Sequence, residues 1–174
     1  MIEKEGIALY RQDFNIDPFG FWRENDIPDR RGITENKYVT GYLSFWDELL
    51  NRNPGLWIDS CASGGHRNDL ETMRRAVPLL RSDYILEPVG QQNHTYGLAF
   101  WIPFYGTGVN ALDKYIFRSQ MCPACIYCYD MRPKDFDYEP IRKLTNQWRR
   151  IAQYYYGDYY PLTPYNPENN VWLA

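Results

Sequence analysis

A chain of 174 residues normally makes one domain, and 44% hydrophobic residues are enough to bury a core. A net charge of -3 supplies no basic field, which argues against nucleic acid and against anionic membranes as partners. No apolar run reaches the roughly 18 residues needed to span a bilayer. The 17% aromatic content, 16 of those residues being Tyr, exceeds what packing alone requires. Rings with a polar edge suit sugars and other polyols, and equally a Tyr-rich core or partner surface.

Met1-Ile2-Glu3-Lys4-Glu5 is not a signal peptide, which favours the cytoplasm. It reads as a cut into a longer chain, because a strand follows almost at once. Gly6 to Phe14 begins apolar and ends polar, like a buried parallel strand delivering Arg11, Asp13 and Asn15 to its carboxyl end. Residues 17–32 hold Pro18, Gly20, Pro28 and Gly32 among charges and read as a surface loop. Its Phe19, Phe21 and Trp22 either wall a pocket or pack the loop down. Thr34 is the expected N-cap of a helix whose one face carries Tyr38, Tyr42, Phe45, Trp46, Leu49 and Leu50, and Pro54-Gly55 stops it.

A strand follows at Leu56-Trp57-Ile58, then the small-residue loop Asp59 to Asp69 with adjacent Gly64 and Gly65. Such a pair permits close backbone approach to a ligand or a sharp turn, and a merely structural loop uses it as well. Asn68 or Asp69 is placed to cap a helix over Leu70 to Val77, which Pro78 closes. Leu79 to Ile85 reads as the next strand, ending in Arg81-Ser82-Asp83-Tyr84. Beyond it come a short helix at Tyr96 to Trp101, a short strand or loop at Ile102 to Gly108 and a helix at Ile116 to Met121. A strand at Ala124 to Tyr129 follows. A long helix spans Tyr138 to Tyr156, with Ile141, Leu144, Trp148, Ile151, Ala152 and Tyr155 inward. The tail from Gly157 has the prolines of a linker, and Val171-Trp172-Leu173 has the look of a first strand of another module.

This alternation of strand and helix gives a parallel sheet or barrel. Five strands fall short of a (β/α)8 barrel, so the chain is either an open doubly wound sheet or the back part of a barrel. In both, ligands bind where the strands end. Asp13 and Asp83 stand at two such ends, two strands apart. Such a pair serves as nucleophile and general acid/base in glycoside cleavage, or as ordinary strand-end ion pairs. Arg11 points the same way as Asp13 and either holds it ionised or binds a sugar hydroxyl. Asp69 is the rival acid, though capping explains it.

Cys122, Cys125 and Cys128 have C-x2-C-x2-C spacing, as in an iron–sulfur run, but the usual fourth ligand is not nearby and small buried core cysteines are the expectation. His66 and His94 are too few for a histidine metal site. No metal and no cofactor is therefore expected.

Three segments resemble one family. Arg11-Gln12-Asp13-Phe14-Asn15 is similar to the Lys-x-Asp-x-Asn nucleophile motif of the retaining α-galactosidases of glycoside hydrolase family thirty-six. Ser60-Cys61-Ala62-Ser63-Gly64-Gly65-His66-Arg67-Asn68-Asp69 resembles that family's Ser-Cys-x-x-Gly-Gly-x-Arg-x-Asp signature, and Arg81-Ser82-Asp83 its Trp-x-Ser-Asp segment. The three occur in the family's order.

The resemblance implies that residues 1–160 are the C-terminal part of a (β/α)8 TIM barrel, about strands four to eight, with 161–174 a linker into a truncated β domain. It implies Asp13 as nucleophile and Asp83 as acid/base, with Arg11, Asn15, Cys61, Gly64 and Gly65 contacting an α-galactoside oligosaccharide. The two carboxyl groups are then expected about 5–6 Å apart in an intact site. Arg11 stands where lysine is usual, and a guanidinium is not a drop-in for an ammonium. His66 replaces a common glycine. Alternatives in keeping with the same residues are an α-galactosyl transglycosylase, a hydrolase of another α-linked sugar and a non-catalytic carbohydrate-binding half-barrel. The resemblance implies that barrel strands one to three supply groups gripping the sugar's far side, so without them the fragment is expected to be inactive, and its open barrel edge to promote a homo-oligomer.

Overall fold

The computed structural model describes residues 2–61, 64–168 and 170–174. Ala62 and Ser63 of the cysteine-glycine segment lie outside them. The chain divides into two compact units, Met1–Val77 and Pro78–Ala174.

In the first unit α1 (Ile2–Glu5) leads into β1 (Leu9–Gln12), α2 (Phe19–Glu24), a 3-10 turn at Pro28–Arg30, α3 (Ile33–Arg52), β2 (Trp57–Ser60) and α4 (Leu70–Met73). β1 and β2 pair in parallel, with Arg11 opposite Asp59. A single parallel bridge adds Val77 on the other side of β2, its N–H reaching the Ile58 carbonyl at 2.9 Å.

α3 forms because its apolar residues recur every three or four positions. Trp46 is fully buried against Ile58 and Ala76, with Tyr10, Tyr42, Leu49 and Leu50 around them. Burial of that indole alone contributes on the order of 2–3 kcal/mol. Phe45, expected on the same face, is instead 48% exposed.

The start of α3 also differs from expectation. Gly32, not Thr34, is the cap residue, and the Asp26 carboxylate accepts from the N–H groups of Gly32 and Thr34 and from the Thr34 hydroxyl. Within the expected loop, α2 brings Trp22 onto Tyr38, ring centroids 5.1 Å apart, while Phe19 and Phe21 stay exposed. The helix expected over Leu70 to Val77 is one turn. Its cap is Asp69, which accepts from the Thr72 N–H at 2.9 Å. Val77 leaves the helix to pair with β2, which cuts it short.

In the second unit the order is α5 (Pro88–Leu98), β3 (Gly106–Val109), α6 (Lys114–Gln120), β4 (Ala124–Tyr127) and α7 (Glu139–Ile151), closed by a 3-10 turn at Ala152–Tyr156. β3 and β4 are parallel neighbours and β3 is buried throughout. The core gathers Val109, Phe117, Met121 and Leu144, with Trp148 against it.

The strand expected at Leu79 to Ile85 does not form. Gly106 donates its N–H to the Pro78 carbonyl and accepts from the Arg81 N–H, both at 2.9 Å. A regular parallel partner would use residues 78 and 80; here one extra residue is accommodated, bulge-like, and the ladder stops. Ile151, expected inward on α7, is 37% exposed, because the helix tightens into a 3-10 turn there. Residues 171–173 form no strand.

Candidate active site

At the carboxyl end of β1 and β2, register puts Arg11 beside Asp59. Asp59 is only 2% exposed and takes a short charge-assisted bond from the Arg11 guanidinium to its Oδ2. Burial works most strongly against the Arg11 charge, but the bond to Asp59 and the charges of Asp59, Cys61 and Asp13 together outweigh it and lift the pKa above the ordinary arginine value. The Arg11 bond goes to Asp59, and Asp13 contributes only a weaker field. Asp13 lies just past the last paired residue, with its side chain in solvent.

Asp59 is the member of this cluster that sequence reasoning passed over. It was expected at the start of the loop, whereas β2 runs on through it to Ser60 and buries it, and a buried carboxylate is rarely found unpaired. Its opposite number in register supplies the pairing.

The turn after β2 adds the thiol. Cys61 is 2% exposed, and its N–H continues the β1–β2 ladder to the Gln12 carbonyl at 3.0 Å. Burial pushes the Cys61 thiol pKa up, opposed by a bond from the Gly64 N–H and by Arg11, and reinforced by the Asp13 carboxylate, to which the thiol bonds. Cys61 therefore stays a neutral thiol at pH 7 and donates its proton toward Asp13. Gly64 reaches the sulfur with φ = 76°, a backbone state that β-carbon-bearing residues rarely adopt. Gly65 is half-buried, and Asn15 is exposed beyond Phe14.

Arg67, from the same turn, lies over two rings, 4.6 Å from the Phe14 centroid and 4.7 Å from that of Tyr42. Phe14 follows Asp13 directly, so the cation–π clamp fixes the backbone that bears the carboxylate.

Asp83 belongs to the second unit and is exposed. The segment holding it is pinned on both flanks. Arg81, 1% exposed, donates to the Thr95 hydroxyl at 2.9 Å and to the Gln91 carbonyl and side-chain oxygen at 2.8 and 2.9 Å. Its guanidinium also lies 5.1 Å from the Tyr105 ring centroid. Burial holds the Arg81 pKa below the ordinary value. The Gln91 amide donates to the Tyr84 carbonyl, and the Gln120 amide to that of Ile85 at 3.1 Å. Gln91 and Gln120, both fully buried, were not legible in the sequence.

The cysteine triplet is graded by depth: Cys122 is buried, Cys125 half-buried and Cys128 exposed, so the expectation of three core cysteines fails at Cys128, near the end of the β4 segment. Among the described residues no group of three or more His, Cys, Asp or Glu side chains gathers.

The fold is shared with solved α-galactosidases. The α-galactosidase of Lactobacillus brevis superposes with a TM-score of 0.73 at 21% identity, over 90% of this chain and 23% of that one. The galactosidase domain of the α-galactosidase–sucrose kinase AgaSK gives 0.66 at 19% identity, over 89% and 22%. The GH36 α-galactosidase AgaA of Geobacillus stearothermophilus, in complex with raffinose, gives 0.65 at 19% identity, over 86% and 22%. No protein-family model matches the chain, and no curated protein sequence does. The chain spans less than a quarter of the length of the structures it matches, and its fold is that of one stretch of GH36 α-galactosidases.

Proposed function

We propose that this chain is the part of a retaining glycoside hydrolase that carries its nucleophile, Asp13, and its general acid/base, Asp83, for terminal α-D-galactosyl residues. The observation that carries the reading is the division of labour at the end of β1. Arg11 is bonded to the buried Asp59, and Asp13 is exposed, with the neutral Cys61 thiol bonded to it among the described residues. A carboxylate so placed is free to attack.

In this mechanism Asp13 attacks the anomeric carbon while Asp83 protonates the leaving oxygen. Water activated by Asp83 then releases the sugar with its configuration retained. Arg11, Asn15, Cys61 and the backbone of Gly64 and Gly65 contact the sugar hydroxyls. The fold likeness supports the assignment, since structures with this fold include one bound to raffinose and one bound to stachyose.

On this reading residues 1–160 form part of a (β/α)8 barrel and 161–174 lead out of it. Among the described residues β1 has a strand neighbour on one side only, and Ile7 and Leu9 are 39% and 43% exposed beside it. That edge supports pairing with a further strand of a barrel or, in isolation, with a second copy.

The test is product analysis on the chain extended to a complete barrel. Release of α-galactose from a nitrophenyl α-galactoside, with the α-anomer seen first by proton NMR, supports the proposal; initial β-galactose sinks it. The 174-residue chain alone is expected to be inactive, and strong hydrolysis by it would contradict the partial-barrel reading.

A further inference from the structure

The alternation of β1 carries on past its last paired residue. Tyr10, Gln12 and Phe14 are half-buried on the α3 side. The Tyr10 ring meets Phe45 at 6.2 Å, the Gln12 side-chain oxygen accepts from the Trp46 indole at 2.9 Å, and the Phe14 ring meets Tyr38 at 5.9 Å. Arg11, Asp13 and Asn15 are the exposed members of the same alternation and share the other face. Arg11 and Asp13 are thus next-but-one neighbours on one face, roughly 7 Å apart along the chain, a gap that a guanidinium spans.

Two carboxylates therefore compete for one cation. Asp59 lies directly across the register from Arg11, and Asp13 lies two residues further along its own strand. The bond goes to Asp59, and Arg11 makes no second ion pair among the described residues. Solvent decides the contest. The Asp59 side chain is 4% exposed, whereas Asp13 is in water. A given pair of charges attracts about four times more strongly at a partly buried site than in bulk water, and a buried carboxylate deprived of its cation is the costlier outcome.

We propose that Asp59 is a positioning residue that keeps the Arg11 guanidinium off Asp13. Its value to catalysis rests on Asp13 being the nucleophile. An ion pair at Asp13 would have to break before the carboxylate oxygen could reach the anomeric carbon, and every turnover would carry that cost. Anchored by Nη1 on Asp59, Arg11 keeps its remaining N–H groups for the sugar hydroxyls. Asp59 itself touches no reacting atom and acts through Arg11 alone.

Asp59→Asn tests this in two settings. In a crystal structure of the 174-residue variant, the Arg11 guanidinium is expected within about 3.2 Å of an Asp13 carboxylate oxygen. In the chain extended to a complete barrel, the single-turnover rate at saturating nitrophenyl α-galactoside reports the attack by Asp13. Asp59→Asn is expected to lower it roughly fivefold or more, the factor an exposed ion pair is worth. Removing the stray cation as well, in Asp59→Asn with Arg11→Met, is expected to bring the rate back to within about twofold of the wild type, while the half-saturating concentration stays raised for want of a hydroxyl contact. Damaged packing at a buried position would instead leave the double variant as slow as the single one. The proposal is overturned if Arg11 stays beside residue 59 or turns to solvent in the variant crystal structure. It is equally overturned if Asp59→Asn leaves the rate unchanged, or if the double variant does not recover. An extended wild-type chain that cleaves no α-galactoside defeats the nucleophile reading alone, and the crystal structure still decides where Asp59 sends Arg11.

Discussion

The segments that carry the two candidate aspartates are held by opposite means. Around Asp13 the first unit uses charge. A buried carboxylate, Asp59, takes up the nearby guanidinium, and a second guanidinium, Arg67, is clamped between Phe14 and Tyr42. Around Asp83 the second unit uses neutral dipoles: two buried glutamine amides and a threonine hydroxyl hold Arg81 and the carbonyls of Tyr84 and Ile85. On the proposed reading Asp13 attacks as a carboxylate, while Asp83 gives up a proton and takes one back.

The largest expected effect breaks the pair itself. In the chain extended to a complete barrel, Asp13→Asn should lower kcat by roughly a thousandfold or more on every α-galactoside, read by steady-state kinetics. Asp83→Asn should spare substrates with an activated nitrophenyl leaving group far more than those with a sugar leaving group, since only the latter need a proton. Equal losses on both substrates would remove the distinction drawn between the two sites.

Next is the support of the Asp83 segment. Gln91→Leu takes an acceptor from Arg81 and a donor from the Tyr84 carbonyl, and should cost about 2–3 kcal/mol in denaturant unfolding. Arg11→Met leaves Asp59 buried without this partner. A cost of about 2 kcal/mol is expected, moderated because the Arg11 side chain is 38% exposed. Adding Asp59→Asn to that variant should recover part of the loss; a purely additive double mutant would show that the pair is not coupled.

Glu87→Ala removes the carboxylate that accepts from the Val89 and Gly90 N–H groups at the start of α5, worth about 1 kcal/mol.

The smallest effect is in pH. Burial, then the Arg81 charge, holds His94 below its ordinary value of 6.5. The unfolded chain therefore binds a proton first, and the second unit should lose stability as pH falls below about 6.5. His94→Gln should flatten that part of a Tm–pH profile.

Legibility followed physical cause. α3 was readable because its own apolar spacing makes it, and Asp69 because a capping side chain acts three residues away. α5 was read from Tyr96 only, whereas it begins at Pro88: its Gln-Gln-Asn-His stretch has no apolar stripe, and the helix rests on the Glu87 cap, an N-terminal proline and buried polar contacts made from elsewhere. The strand expected at Leu79 to Ile85 failed for a reason outside its own sequence, the pairing of Gly106 with two carbonyl and amide groups one residue too far apart. Asp13 and Cys61 were legible as motif; the role of Asp59 needed the register of β1 on β2.

Gly106 carries a last consequence. A methyl group there would sit 2.2 Å from the Leu79 carbonyl oxygen and 3.0 Å from that of Ala124, both main-chain atoms unable to yield cheaply. Alanine at this position would act as a wedge between neighbouring backbones, prising the Asp83 arm off its support without altering a single charge. A candidate site can thus be dismantled from beneath, by one carbon atom in a residue buried among backbones.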